Sequence, residues 1–151
     1  MIKETISFED TDGKQITMDA YFHASSRDLL NIGLDSGIKS DIEQLSDLDY
    51  IKRVTTDGTE EEQTEYTRQL LNIIDEIVKI SYGERVESTL PNGETYSSFK
   101  KNPAKTELFM DSDAYGAFVL DLVSNGERFS KFINGVFPES MIRSITNRVS
   151  E

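Results

Sequence analysis

The clearest pattern in the chain is an apolar stripe over residues 62–82. Its apolar side chains recur at steps of three and four residues, which places them on one face of a long α-helix. They are Tyr66, Leu70, Ile73, Ile74, Ile77 and Val78. Glutamates 60–62 precede the stripe, where negative charge stabilises a helix start, and Gly83 is expected to end the helix in a left-handed conformation. Such a helix is stable only when other segments cover its apolar face.

Residues 1–22 are predicted to form a β-hairpin. Asp12 and Gly13 supply the positive φ angles of a tight turn between two strands. The return strand places four apolar side chains on one face: Ile16, Met18, Ala20 and Phe22. The first strand alternates less cleanly, because Glu4 falls on the same face as its apolar residues. We expect this hairpin to pack on the long helix.

Shorter helices, separated by turn residues, account for most of the remaining pattern. Ser25 or Ser26 can cap the first, because a serine oxygen accepts the free amides of a first turn. The predicted helical spans are 26–34, 40–55, 103–109, 113–123, 127–134 and 139–148. Strand pieces at 85–89 and 94–99 are predicted to flank a turn at 90–94. The predicted fold is therefore α+β and mainly α-helical, an N-terminal β-hairpin followed by a compact bundle of about five to six helices over 25–148.

Length and charge limit the classes of function. The 151 residues predict a single domain over 1–151. Asp and Glu number 28 against 16 Lys and Arg, giving a net charge of -12. Because such a surface repels phosphates, we expect neither nucleic acid nor a membrane surface as partner. The chain has no cysteine, no apolar stretch of membrane-spanning length and no signal-peptide pattern at its start, which favours a cytoplasmic protein.

No motif in the chain predicts catalysis, a cofactor or a metal ion. His23 is the single histidine, and no serine lies in a Gly-x-Ser-x-Gly elbow. An EF-hand alignment over 8–19 would put Phe8, which has no side-chain oxygen, at the first ligand position. Three carboxylate pairs remain: Asp10 with Asp12, Asp75 with Glu76, and Asp111 with Asp113. Turns, solvated faces and helix starts explain these more simply than acid–base chemistry, although a small enzyme built around Asp111 stays a weak alternative.

An aromatic and aliphatic set near the end of the chain is the candidate for partner binding. Phe129 and Phe132 are expected in the core. Phe137, Met141 and Ile145 repeat at four-residue steps, so they form a stripe that either docks on the body or is offered to a partner helix.

Four short segments, in order along the chain, carry a family resemblance. They are MIKETISF at 1–8, ISYGER at 80–85, SDAY at 112–115 and FING at 132–135. They resemble a first hairpin, a Ser-Tyr-Gly-Glu-Lys signature after a long helix, a Thr-Glu-Ala-Tyr helix start and a Phe-Ile-Asn-Gly ending. These are features of the tail assembly chaperones of long-tailed (siphovirus) bacteriophages that infect Gram-positive bacteria. The segments 36–49 and 90–101 fit the family less closely.

The resemblance implies a binding protein without enzymatic activity. Such chaperones bind the tape measure protein, keep it soluble and help the tail tube protein polymerise around it. It also implies residence in the host bacterial cytoplasm, absence from the mature virion and, in many such phages, a form extended by ribosomal frameshifting. A homo-oligomer is left open. The alternative function is structural, as a tail-terminator or head–tail connector subunit of the virion.

Overall fold

The computed structural model describes residues 1–34, 36–45 and 47–137. Within these ranges the elements are β1 Ile2–Glu9, β2 Gln15–Phe22, α1 Ser26–Leu34, α2 Ser36–Leu45, α3 Leu48–Asp57, α4 Glu60–Ser81, β3 Tyr82–Thr89, β4 Thr95–Lys100, α5 Pro103–Met110, α6 Asp113–Ser124 and α7 Gly126–Val136. The predicted α+β, mainly helical fold with an N-terminal hairpin is confirmed. Among these helices, none combines the length and the apolar character needed to cross a bilayer.

Helix α4 forms as its stripe predicts. Thr59 caps it by accepting a hydrogen bond from the Glu62 amide at 3.2 Å, and three glutamates occupy its first turn. All six predicted stripe residues are buried, and Leu70, Ile74 and Val78 have no exposed area. Burial raises the pKa of Tyr66, the first stripe residue, to about 12, so its hydroxyl stays protonated at neutral pH.

The end of α4 differs from the prediction for Gly83. The helix ends at Ser81, and the chain continues through an extended Tyr82 directly into β3. Among the described residues only Gly13 and Gly93 have a positive φ, so Gly83 does not close the helix in a left-handed conformation. A Cβ on Gly83 would lie 2.5 Å from the Lys100 carbonyl oxygen. The position therefore needs glycine because another strand passes too close for a side chain.

The four strands form one antiparallel sheet in the order β1-β2-β3-β4. Gly13 has a φ of 83° at the predicted turn, and the Asp10 carboxylate accepts the amides of Asp12 and Lys14 at 2.9 and 2.8 Å. Only two residue pairs join β2 to β3, Tyr21 with Gly83 and Phe22 with Tyr82. The β3–β4 hairpin consequently has mostly exposed side chains beyond its first residues.

Glu4, which breaks the alternation of β1, faces inward with 5% of its area exposed. Its Oε2 atom accepts a hydrogen bond from Arg128 Nη2 at 2.7 Å, and Arg128 Nε donates to Asp121. Desolvation opposes the charge of Arg128, but the bonds to both carboxylates outweigh it and raise the pKa of the guanidinium. The ion pairs therefore link β1 to α7 and α6.

The hairpin packs against more than the long helix. β1 lies mainly on α6, with further contacts to α7, whereas β2 contacts α4. Phe22, at the end of β2, has no exposed area and is surrounded by four aromatic rings. These are Tyr82 at 5.8 Å, Phe109 at 6.2 Å, Phe118 at 5.3 Å and Phe132 at 5.1 Å between ring centroids. We call these five residues the Phe22 cluster.

Two predicted helices have different bounds. The span 40–55 is interrupted: α2 ends at Leu45, and Asp47 caps α3 by accepting the amide of Asp49 at 3.0 Å. A short acidic side chain that binds free amides favours a new helix start over a continuous helix. The last described helix runs through Gly135 to Val136. A Cβ on Gly135 would lie 2.4 Å from Ile2 Cδ1, so glycine at this position leaves room for the Ile2 side chain. The predicted helix 139–148 lies outside the described residues.

A pair of glycine substitutions tests this packing. Gly83→Ala is expected to lower the free energy of unfolding by about 1–3 kcal/mol, because the new methyl group overlaps the β4 backbone. Gly116→Ala, inside α6 with nothing within 4 Å of the new atom, is expected to raise it by about 1 kcal/mol. Urea unfolding followed by circular dichroism measures both. Equal effects at the two positions would contradict the close approach at Gly83.

Candidate functional site

Members of two of the three carboxylate pairs bind structural partners, and the third pair lies at helix ends. Asp75 of α4 accepts a hydrogen bond from the Tyr115 hydroxyl of α6, and burial together with this bond raises the pKa of Tyr115. Glu76 forms an ion pair with Lys79 on the same helix at 3.5 Å. Asp111 follows α5 as its C-cap residue, and Asp113 lies in the first turn of α6. In the described part of the chain, no group of three or more histidine or acidic residues is arranged to hold a metal ion.

His23 lies where β2 ends, edge-on to the Phe99 ring at 5.5 Å. Its Nδ1 atom is buried and has no hydrogen-bond partner among the described residues. Burial lowers the pKa of His23, the positive charges of the N-terminus and Lys101 lower it further, and Asp28 opposes this. No described group lies within hydrogen-bonding distance of Nδ1 to pass it a proton, so the geometry favours a packed neutral ring over a general base.

Three lysines, Lys100, Lys101 and Lys105, lie at the end of β4 and after it. Lys101 pairs with Asp28, and Lys105 pairs with Glu84. Asp28 also accepts from the amide and hydroxyl of Ser25, both at 2.8 Å. In return Ser25 Oγ accepts the Asp28 amide at 3.2 Å, so Ser25 caps α1. Desolvation opposes the charge of Asp28, but these bonds lower its pKa. The Lys101–Asp28 pair fastens α1 to the segment after β4, and ion pairs neutralise two of the three lysines.

An open groove of about 450 Å³ runs along the solvent side of α4. Its described lining consists of Glu60, Gln63, Thr64, Thr67, Arg68 and Leu71. This described lining holds one acidic and one basic residue, so it offers no cluster of titratable groups.

Helix α6 exposes apolar surface. Its inward side is buried at Ala114, Tyr115, Phe118 and Leu122. On the other side, Leu120 has 67% of its area exposed. We define the α6 outer face as the exposed Asp113, Gly116, Leu120, Asp121 and Ser124 with the half-buried Ala117. A helix that is apolar on both sides is normally covered on both sides, so the α6 outer face is the strongest candidate surface for binding.

The predicted partner stripe is only partly described. Phe137 follows α7 as its C-cap residue and has 1% of its area exposed, so it belongs to the core. Met141 and Ile145 lie outside the described residues. Partner binding by this stripe stays a prediction. Phe129 and Phe132 are in the core as expected.

The sequence pattern contained a signal for the α6 outer face. Leu120 lies about 160° around the helix from both Phe118 and Leu122, whose midpoint marks the inward side. A large apolar residue at such a position is either unpaired on the surface or part of an interface. Whether the fold covers it depends on which elements pack on α6. β1, α4, α5 and α7 do so, and Leu120 still has 67% of its area exposed.

The chain is matched over residues 1–151 by a family model described as phage tail assembly chaperone. No curated protein and no solved structure matches it. The match covers all four segments that carry the resemblance noted in the sequence.

The environment of His23 predicts a pH dependence of stability. Because its pKa in the folded state is lowered from 6.5, the unfolded chain binds more protons between the two pKa values. Stability from this residue is therefore complete above about pH 6.5 and declines as the pH falls. Wild type should lose more unfolding free energy than His23→Gln between about pH 7.5 and 5.5. Equal losses in urea titrations of the two proteins would contradict this assignment.

Proposed function

The chain belongs to the phage tail assembly chaperone family, and from this premise we propose that it binds the tape measure protein, keeps it soluble and promotes polymerisation of the tail tube. The family match over residues 1–151 is the observation that carries the proposal. A siphovirus of a Gram-positive host is the proposed source. The role needs no enzymatic activity, since binding and release of a client are sufficient.

Two properties of the chain support this function. A protein that holds an aggregation-prone client needs a soluble surface, and the net charge of -12 supplies one. It also needs accessible apolar area, which Leu120 provides with 67% of its area exposed. The acidity suits a client with basic segments.

Met141 and Ile145 are proposed to contribute to client binding as part of the predicted terminal stripe. Phe137 is buried, so its part in the stripe is to anchor the start of that segment on α7. A substitution at Phe137 would remove core packing, so client binding by the stripe is tested with substitutions at Met141 and Ile145.

We propose that the protein acts in the cytoplasm of the host bacterium and leaves before the virion is complete. The alternative is a tail-terminator or head–tail connector subunit that remains in the particle. The two functions differ in where the protein is found after assembly.

Co-expression with the tape measure protein of the same genome tests client binding. The soluble fraction of the client is expected to rise when the chain is present, and the two should co-purify. A double variant, Met141→Asp with Ile145→Asp, should lower the recovered client while its circular dichroism matches wild type. A client that stays insoluble with wild type would overturn the proposal. An unchanged yield of client with the double variant would exclude only client binding by the terminal stripe.

Purified virions distinguish the two candidate functions. Mass spectrometry of particles separated from lysate should detect the tail tube protein and not this chain. The tail tube protein serves as the internal control for recovery. A stoichiometric amount of this chain in the particles would favour the connector function and overturn the chaperone proposal.

A further inference from the structure

The composition of α6 is unusual for a helix with a solvent-facing side. Between Asp113 and Ser124 it carries two charged residues, both aspartates, and neither lysine nor arginine. Its inward side is fully used, because Phe118 and Leu122 lie in the core. The exposed Leu120 therefore has no role in the folded monomer that the described contacts account for.

The α6 outer face places an open position next to an exposed apolar side chain. Gly116 and Leu120 lie four residues apart, and thus one above the other on the same side of the helix. An atom added at Gly116 meets nothing within 4 Å, so a partner backbone can approach closely there. Leu120 offers an apolar side chain one turn further on. An apolar helix side of this kind accepts the apolar stripe of a second helix.

The charges that border the α6 outer face predict which kind of partner helix would bind. Asp113 and Asp121 border the apolar residues, and Asp113 has no ion-pair partner among the described residues. Arg128 binds Asp121, but it is also engaged by Glu4 and so leaves no free cation at this border. Lysine or arginine on the flanks of a partner helix would complement these carboxylates.

The same charges argue against a second copy of this chain. A two-fold dimer through the α6 outer face would place equivalent carboxylates near each other, on molecules that each carry a net charge of -12. A partner with basic flanks removes that repulsion and gains attraction at long range.

We propose that the α6 outer face binds an amphipathic helix with an apolar stripe and basic flanks. This inference deepens the proposed function and rests on it for its biological meaning, since such a helix would belong to the client. Leu120 packs into the apolar stripe of the partner, the space above Gly116 receives its backbone, and Asp113 with Asp121 pair with its cations.

The test uses a synthetic helix as probe. A fluorescein-labelled peptide of about 18 residues carries leucines at helical spacing and lysines elsewhere. A second peptide replaces every lysine by glutamate. Fluorescence anisotropy with the full chain is expected to show binding of the lysine peptide, weakening with salt, and no binding of the glutamate peptide.

Three variants locate the binding surface. Leu120→Asp should weaken binding of the lysine peptide by about tenfold or more. Leu108→Asp is the matched control, since it changes an equally exposed leucine on α5, and should leave the affinity within about twofold. Gly116→Gln fills the open space above α6 and should also weaken binding. Its melting temperature should equal or exceed that of wild type, because glutamine is the better helix former.

Each outcome decides the proposal. Unchanged or tighter binding in both Leu120→Asp and Leu108→Asp would show non-specific attraction to an acidic surface. Equal loss in both would show apolar binding without preference for α6, and either result would overturn the proposal. Self-association of wild type, measured by light scattering and abolished by Leu120→Asp, would assign the face to a second copy instead. The peptide is independent of the natural client. Its failure to bind would therefore exclude the α6 outer face as a helix-binding site and leave client solubilisation unaffected. If the peptide binds specifically but the client is not solubilised, the proposed function is overturned and the α6 outer face remains a helix-binding site.

Discussion

The structure depends on the burial of Phe22. Its ring ends the N-terminal hairpin and contacts aromatic rings from β3, α5, α6 and α7, so five elements distant in sequence share one apolar cluster. Aromatic contacts of this kind add to the large apolar area that each ring removes from water. The Phe22 cluster also fixes the start of β3 beside β2, where two residue pairs alone join the halves of the sheet.

Around this cluster, polar contacts set the relative positions of the elements. The Glu4–Arg128–Asp121 ion pairs connect β1 to the last two described helices, and the Asp75–Tyr115 bond connects α4 to α6. A buried carboxylate such as Glu4 is costly without its partner, so these contacts favour one arrangement of the hairpin over alternatives of similar apolar burial. The result leaves one side of α6 exposed, and that side carries the further inference about binding.

Family membership and surface physics supply different parts of the functional argument. The family match assigns the general role in phage tail assembly and says nothing of which surface does the work. The geometry points to the α6 outer face because apolar exposure, open space and bordering carboxylates coincide there. The terminal stripe rests on the sequence pattern alone beyond Phe137.

The sequence by itself determined the elements whose signals are local. The α4 stripe, the Asp12-Gly13 turn and the Ser112 cap each depend on residues within one or two turns of chain. The stripe and the cap formed as predicted, whereas the turn formed at the predicted place with a positive φ at Gly13 and not at Asp12. Tertiary structure decided what depends on distant neighbours. The need for glycine at position 83 arises from β4, the burial of Glu4 from Arg128, and the exposure of Leu120 from the sides on which other elements pack. Periodicity shows which face of a helix is apolar, whereas only packing shows which apolar residues remain uncovered.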